Sequence, residues 1–192
     1  MILMKDITRE GNPILRTKCV DVEIPLSKED EQHIKDMIQY LINSQNDELA
    51  EKYGLRPGVG LAAPQIGLNK KMLVILAFDE KGSLHFYPMI NPKLVSYSEE
   101  KTYLETGEGC LSVDREVNGL VHRAKRVTVE TYLYNEGKLS YVRIRLKNYL
   151  AVVFQHEYDH LNGILFVDRI NKNNPFEVVP NSTPIVFNEL EE

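Results

Sequence analysis

Apolar side chains recur every three or four residues between Ser27 and Ala50. They are Ile34, Met37, Ile38, Leu41 and Ile42. This period matches one face of an α-helix, so the segment predicts a long amphipathic helix with these residues buried. Ser27 is expected to cap its first turn, where Asp30 also lies.

The middle of the chain shows the shorter period of β-strands. Apolar runs or alternating patterns predict strands at Met72–Phe78, Phe86–Asn91, Val127–Leu133 and Tyr141–Leu146, and a last strand at Ile185–Phe187. Turn-forming sequences separate the first pair at 79–82 and the second pair at 135–138. Residues 51–57 are expected to form a loop and residues 58–67 an irregular segment.

A second helix is predicted at about Lys147–Leu161, with Asn148 as its N-cap and Asn162-Gly163 as its stop. Its apolar stripe contains Tyr149, Val152, Val153, His156 and His160. Two unpaired histidines facing a core would be costly unless they were hydrogen-bonded or coordinated to a metal.

The order of these elements is a helix, several strands and another helix, which favours an α+β fold over alternating βαβ units. We expect a single domain spanning 1–192. In it, antiparallel β-sheets pack around a central helix, the one at 147–161, and a further helix lies near the N-terminus.

The histidines of the second helix belong to the pattern H-E-x-x-H, formed by His156, Glu157 and His160. Residues four apart share one helix face, so both imidazoles can reach one metal ion. The carboxylate of Glu157 is then placed to take a proton from water at the metal's open position. The pattern therefore predicts a metal-dependent hydrolase.

Catalytic sites of this kind need a third protein ligand, and three sources compete. A metzincin would have a third histidine where this chain has Phe166. A thermolysin-like enzyme would use a later acid such as Asp168 or Glu177, but the residues between them do not resemble a helix. The third source is Cys110, a soft ligand that follows Gly109.

Composition narrows the function further. The chain has 192 residues, is 43% hydrophobic and carries a net charge of −5, which gives no reason to expect a nucleic-acid surface. It shows no membrane-length apolar run and no signal peptide. Two cysteines do not form a disulfide framework, so we expect a cytoplasmic protein. No role is expected for Cys19.

The segment from Gly58 to Ala63 matches G-x-G-x-x-A, a weak dinucleotide-binding signal. No predicted strand precedes it, and Pro64 interrupts the helix that should follow, so the signal fails its context. A segment that lines a substrate site and ends in the polar side chain of Gln65 fits better. A simple tight turn is the alternative.

Three blocks of this sequence resemble those of the peptide deformylases, which remove the N-formyl group from new polypeptides. The blocks are Gly58–Gly67, Glu108–Ser112 and Gln155–His160, and the opening Arg9–Arg16 is also similar. They occur in the family's order without substitution at the expected positions. Residues 47–57 and the apolar 185–187 ending resemble the type 2 branch, typical of Gram-positive bacteria.

The resemblance implies a role for each matching position. Cys110, His156 and His160 would hold one divalent metal, Fe²⁺ in the cell, with Zn²⁺, Ni²⁺ or Co²⁺ as substitutes in purified protein. Glu157 would be the general base and then acid. The Gln65 amide and the Leu111 N–H would stabilise the developing oxyanion.

The resemblance also implies how substrate binds. Val59, Val152, Val153 and the aliphatic part of Glu108 would line a pocket for the methionine side chain. Gly60 and Gly109 would bind an extended peptide through their backbones. Asp159 either orients a histidine or is solvated.

The expected substrates are N-formylmethionyl nascent peptides. A transient ribosome contact is also implied, although the acidic end at Glu189, Glu191 and Glu192 does not resemble the basic docking helix of some relatives. We expect a monomer without membrane or nucleic-acid binding of its own. Two rivals remain: a zinc peptidase using the same helix, and an inactive relative that binds N-termini or stores metal.

Overall fold

The computed structural model describes residues 1–187, which contain three α-helices and eight strands. The helices are α1 (Lys28–Ser44), α2 (Asp47–Tyr53) and α3 (Asn148–Leu161). The strands are β1 (Gly60–Ala62), β2 (Met72–Phe78), β3 (Leu84–Tyr97), β4 (Lys101–Tyr103), β5 (Arg123–Ala124), β6 (Arg126–Asn135), β7 (Lys138–Lys147) and β8 (Ser182–Pro184). Within this part of the chain, no helix is both long and apolar enough to span a bilayer.

Five strands form an antiparallel sheet in the order β1-β2-β3-β6-β7. Successive side chains of a strand point to opposite faces, and β2 is buried on both. Met72 and Val74 belong to a core shared with α1, whereas Leu73 and Ile75 belong to a core shared with α3. The sheet therefore lies between α1 and α3.

A smaller sheet has the order β5-β4-β8. Its β4–β5 pair is antiparallel and its β4–β8 pair is parallel, so the expectation of antiparallel sheets is met by the large sheet and only partly by the small one. Helix α3 contacts strands of both sheets.

The first predicted helix is divided into two. Ser27 caps α1 as expected, because its side chain accepts a hydrogen bond from the Asp30 N–H. The helix ends at Ser44, and Asn46 starts α2 by accepting from the Leu49 N–H. The prediction of one helix to residue 50 was therefore wrong, as was the burial of Ile42, which is 45% exposed.

Helix α3 ends where predicted, at Asn162 and Gly163, but its start differs. Lys147 occupies the N-cap position without a side-chain cap. Asn148 has a φ of 51° and donates from its side chain to Glu80. The prediction of Asn148 as N-cap was wrong because a strand residue, Lys147, leads directly into the helix.

Two further segments differ from expectation. Residues 58–67 are more regular than predicted, since they form β1 and a 3-10 helix at Ala63–Ile66. The last strand is β8, and no strand is assigned at 185–187. The acidic ending at 189–192 lies outside the described residues.

Candidate metal centre and active site

Three potential metal ligands meet where α3 faces the loop after β4. Cys110 comes from the loop, and His156 and His160 lie one turn apart on α3; all three are buried. Their ligand atoms lie within 4.8 Å of one another, and Cys110 Sγ is 3.4 Å from His160 Nε2. Tetrahedral bonding to zinc would put a thiolate sulfur and an imidazole nitrogen roughly 3.6 Å apart. The donor set therefore fits a divalent metal.

The competing third ligands lie elsewhere. Asp168 pairs with Arg16 and accepts from the Leu165 N–H, and Glu177 accepts from the Asn171 amide. Neither acid joins the cluster formed by the three ligands. Among the described residues, Cys110 is the donor that accompanies the two histidines.

The ring of His156 is held on two sides. Its Nδ1 lies 2.8 Å from Glu108 Oε2, so this nitrogen carries the proton and Nε2 is left for a metal. The ring of Phe166 stacks against it, with centroids 5.8 Å apart. Burial acts to lower the pKa of His156, but hydrogen bonds with Cys110 and Glu108 hold it well above its usual value.

Glu108 itself is anchored by Arg123. Arg123 Nε lies 2.6 Å from Glu108 Oε1 and Nη2 lies 2.9 Å from Oε2, and both side chains are almost fully buried. Burial acts to raise the pKa of Glu108, but the positive charge of Arg123 lowers it to about 2. The carboxylate stays ionised and can orient His156.

Asp159 also contacts this guanidinium. It accepts from Arg123 Nη1 at 2.9 Å and is bound through both oxygens by Arg169. Because Asp159 is buried, the expectation of a solvated position was wrong. Its direct partners are arginines, and one of them, Arg123, also binds the Glu108 carboxylate that contacts His156. The sequence analysis gave no role to Arg123 or Arg169.

Glu157 lies beside the ligand cluster and is 4% exposed. Burial raises its pKa to about 7. Its Oε2 has no hydrogen-bond partner among residues 1–187. A buried carboxylate oxygen without a partner is costly, so this oxygen is expected to bind a ligand or water. A Cβ on Gly60 would lie only 2.3 Å from Glu157 Oε1, so this backbone must be glycine to approach the carboxylate.

Gln65 is buried and fixed through its amide oxygen, which accepts from the Ala62 N–H at 2.9 Å. Its amide nitrogen donates to Ser112 Oγ at 3.2 Å and lies 3.5 Å from Cys110 Sγ. The donor end therefore faces the ligand cluster. Ser112, whose N–H also points at Cys110 Sγ, was missed by the sequence analysis.

Leu111 follows Cys110, and its N–H has no hydrogen-bond acceptor within the described part of the chain. Arg56 holds this loop by donating to the Cys110 carbonyl at 3.1 Å and to Asp114 at 2.8 Å. A free N–H on an anchored loop can receive a developing oxyanion.

A cavity of about 360 Å³ opens onto these groups. All six residues expected to bind substrate line it: Val59, Gly60, Glu108, Gly109, Val152 and Val153. The structure adds five residues that the sequence analysis missed: Gln45, Arg56, Pro57, Leu104 and Tyr149. A Cβ on Gly109 would meet nothing within 4 Å, so space for a ligand remains over this backbone.

Cys19 lies apart from the site. It is buried in the core shared by the sheet and α3, and burial raises its thiol pKa to about 11. A thiol that remains protonated is a poor nucleophile and a poor metal ligand.

Comparison of the sequence and of the fold with known proteins finds peptide deformylases in each case. The family model described as Polypeptide deformylase matches residues 4–176. The chain is 54% identical over 185 residues to Peptide deformylase 2 of Bacillus anthracis, covering 96% of this chain and 99% of that protein. It is 58% identical over 170 residues to the peptide deformylase of Shouchella clausii, covering 88% and 91%. A K3U-bound class I type b peptide deformylase from Acinetobacter baumannii matches with a TM-score of 0.69 at 29% identity, covering 88% and 100%.

Proposed function

The chain belongs to the polypeptide deformylase family and removes the N-formyl group from nascent peptides (EC 3.5.1.88), and we propose that Cys110, His156 and His160 form the centre of this reaction. One observation carries this assignment: the three donors converge beside a buried carboxylate oxygen of Glu157 that has no partner within residues 1–187. A metal site and a free base therefore face the same cavity.

The roles of the surrounding groups follow from their positions. A divalent metal held by the three donors would supply a Lewis acid that polarises the formyl group and acidifies water. Glu157 takes the proton of the attacking water and delivers it to the leaving amine, as general base and then acid. The Gln65 amide and the Leu111 N–H donate to the oxygen on which negative charge develops.

Substrate specificity comes from the shape of the cavity. Val59, Val152 and Val153 provide an apolar wall for the side chain of an N-terminal methionine. Gly60 and Gly109 offer backbone groups to an extended peptide, since neither carries a side chain that would cover them. The aliphatic part of the Glu108 side chain adds apolar contact, while its carboxylate is hydrogen-bonded to Arg123 and His156.

The test measures formate released from formyl-Met-Ala-Ser by anaerobically purified, metal-loaded protein. Glu157→Gln keeps the shape of the side chain but removes the base, so kcat should fall by about 10²–10⁴-fold while metal content is unchanged. Glu130→Gln, on the outer face of β6, serves as control and should match the unmodified protein. Release by Glu157→Gln at the normal rate, or cleavage of internal amides in unformylated peptides, would contradict the proposal.

The metal proposed for the cell is Fe²⁺. A cysteine and two histidines also suit zinc, so the ligands alone do not select the ion. Metal analysis of protein purified without oxygen, compared with protein purified in air, tests this assignment. Iron that is lost together with activity in air supports it, because a thiolate beside Fe²⁺ is prone to oxidation.

We further propose that residues 1–192 act as one catalytic domain and as a monomer in the cytoplasm, with only transient ribosome contact. The exposed edge strand β7 presents Arg143, Arg145 and Lys147 on one face, a pattern that discourages pairing with another sheet edge. Both cysteines are free and buried, which suits a reducing compartment. Sedimentation of the protein alone tests the monomer, and sedimentation with ribosomes tests the transient contact.

A further inference from the structure

The short 3-10 helix that follows α3, Phe166–Arg169, contacts the proposed metal site at two points. Its first residue, Phe166, stacks on the ring of His156. Its last residue, Arg169, directs Nε and Nη2 at the two carboxylate oxygens of Asp159. Neither residue belongs to the three sequence blocks, so the function described above leaves this helix without a role.

Arg169 is the outer end of a continuous series of charged contacts. Asp159 accepts from Arg123, Arg123 is bound bidentately by Glu108, and Glu108 accepts from His156 Nδ1. The side chains of Glu108, Arg123 and Asp159 are 4%, 2% and 7% exposed, whereas Arg169 is 42% exposed. The series therefore runs from the protein surface to a metal ligand.

The charges of this series balance only when Arg169 is included. Glu108 and Asp159 are two buried carboxylates, and Arg123 is the one guanidinium that both contact. Without Arg169 they would compete for Arg123, since a buried carboxylate with an incomplete set of partners is costly. With Arg169 in place, Asp159 is neutralised from outside and Arg123 keeps its two-pronged contact with Glu108.

We propose that Arg169 is a positioning residue for the metal centre, acting through Asp159, Arg123 and Glu108 to fix the ring of His156. The fixed ring keeps Nδ1 on Glu108 and leaves Nε2 facing the other ligands. Phe166, on the same short helix, restricts rotation of the ring from its face. This inference rests on the metal site proposed above.

The test uses Arg169→Met, which keeps most of the side-chain length but removes the charge and the planar guanidinium that donates two parallel hydrogen bonds. A matched control is Arg115→Met, because Arg115 binds Glu10 with the same Nε and Nη2 geometry and has no contact with the metal site. Both proteins are loaded with Zn²⁺, and transfer of the metal to a chelator is followed over time. Loss of an outer partner of a metal ligand typically weakens metal binding 10–100-fold, so Arg169→Met should release zinc about 10-fold faster than Arg115→Met.

A spectroscopic measurement separates positioning from general loss of stability. The absorption bands of the Co²⁺-loaded protein report the ligand geometry directly. They should shift in Arg169→Met and remain unchanged in Arg115→Met. Arg169→Lys, which keeps the positive charge but cannot donate two parallel hydrogen bonds, should give an intermediate rate of zinc release.

A double substitution tests the route through Asp159. In an Asp159→Asn background the competing carboxylate is gone, so the effect of Arg169→Met on zinc release should shrink to less than about twofold. The proposal is overturned if Arg169→Met releases zinc no faster than Arg115→Met, or if its full effect persists in the Asp159→Asn background. If the unmodified protein binds no metal, the proposed function fails instead, so the two failures are distinguishable.

Discussion

Glu157 and Gly60 are 97 positions apart in the sequence but lie against each other in the fold, and this proximity explains a glycine whose role the sequence alone left ambiguous. The G-x-G-x-x-A pattern looked like a turn or a nucleotide signal. In the structure, Gly60 belongs to β1 and lies against the carboxylate of Glu157. The missing side chain makes room for the base.

We therefore predict that Gly60→Ala lowers kcat without unfolding the protein. The added Cβ would fall 2.3 Å from Glu157 Oε1 and 2.7 Å from Cδ, so the buried carboxylate must move. A misplacement of about 1 Å at a reacting group can cost about 10²-fold in rate. Steady-state kinetics on a formylated peptide would measure this loss.

Gly109→Ala provides the contrast, because a Cβ there meets no protein atom within 4 Å. It should raise KM, where the peptide lies, and change kcat much less. Equal effects of the two substitutions on kcat would show that the contact with Glu157 is not the reason for the glycine at position 60.

At the scale of elements, helix α3, which carries His156 and His160, ends in a sharp turn. Gly163 provides it, with a φ of 72°. A Cβ at this position would lie 2.6 Å from the carbonyl carbon and oxygen of Arg16. The end of α3 is thereby packed against the N-terminal segment, which the local stop signal could not reveal.

We predict that Gly163→Ala destabilises the protein more than Gly54→Ala. Gly54 ends α2 with a similar φ of 61°, but a Cβ there meets nothing within 4 Å. Gly54→Ala should therefore lose only the cost of a left-handed residue, about 1–2 kcal/mol. Gly163→Ala should lose about 1–3 kcal/mol more through the collision with Arg16. Urea unfolding of both variants measures the difference, and equal losses would contradict it.

The strands show which elements local pattern can predict. The apolar run of β2 was predicted with its observed limits, Met72–Phe78, because a short run buried on both faces stands out from its surroundings. Strand β1 was missed. It has three residues, two of them small, and its pairing with β2 comes from tertiary contact rather than from its own pattern.

At the scale of the whole molecule, many carboxylates are tied to cations. Ion pairs or hydrogen bonds hold the pKa below its ordinary value for Glu10, Asp30, Glu31, Asp79, Glu100, Glu108 and Asp168. For Asp30, burial acts to raise the pKa, but hydrogen bonds from Lys70 and Ser27 outweigh it. Each of these groups binds a proton more readily when the chain unfolds.

Below about pH 4, the ordinary pKa of these carboxyl groups, the free energy of unfolding should therefore fall as the pH decreases. A carboxyl with a lowered folded-state pKa stabilises the fold fully above its unfolded pKa, about 4, and stops doing so as the pH falls through its folded value. For Glu108 this loss extends to about pH 2. Urea unfolding between neutral and acidic pH measures it.

Asp30→Asn gives a control for one of these groups. The variant should be less stable than the unmodified protein near neutral pH, and the difference should shrink as both are acidified. A difference that stays constant with pH would show that the Asp30 contact with Lys70 does not depend on its charge.

The sequence alone was enough to predict the elements and residues whose signals are local. It gave the α+β order, the limits of β2, the end of α3 and the helix face that carries His156 and His160. The family membership could also be predicted, because three blocks with fixed residue types occur in order. These features need only neighbours within a few turns or strands.

The tertiary structure was needed to show how distant residues contact one another in the site. Cys110, Glu108 and Arg123 converge on α3 because the loop after β4 and the short β5 both pack against it. Arg169 and Gly60 acquire their contacts with Asp159 and Glu157 in the same way. Charge compensation and close packing depend on contacts between residues that are far apart in the chain, and the local pattern of apolar and polar residues does not predict such contacts.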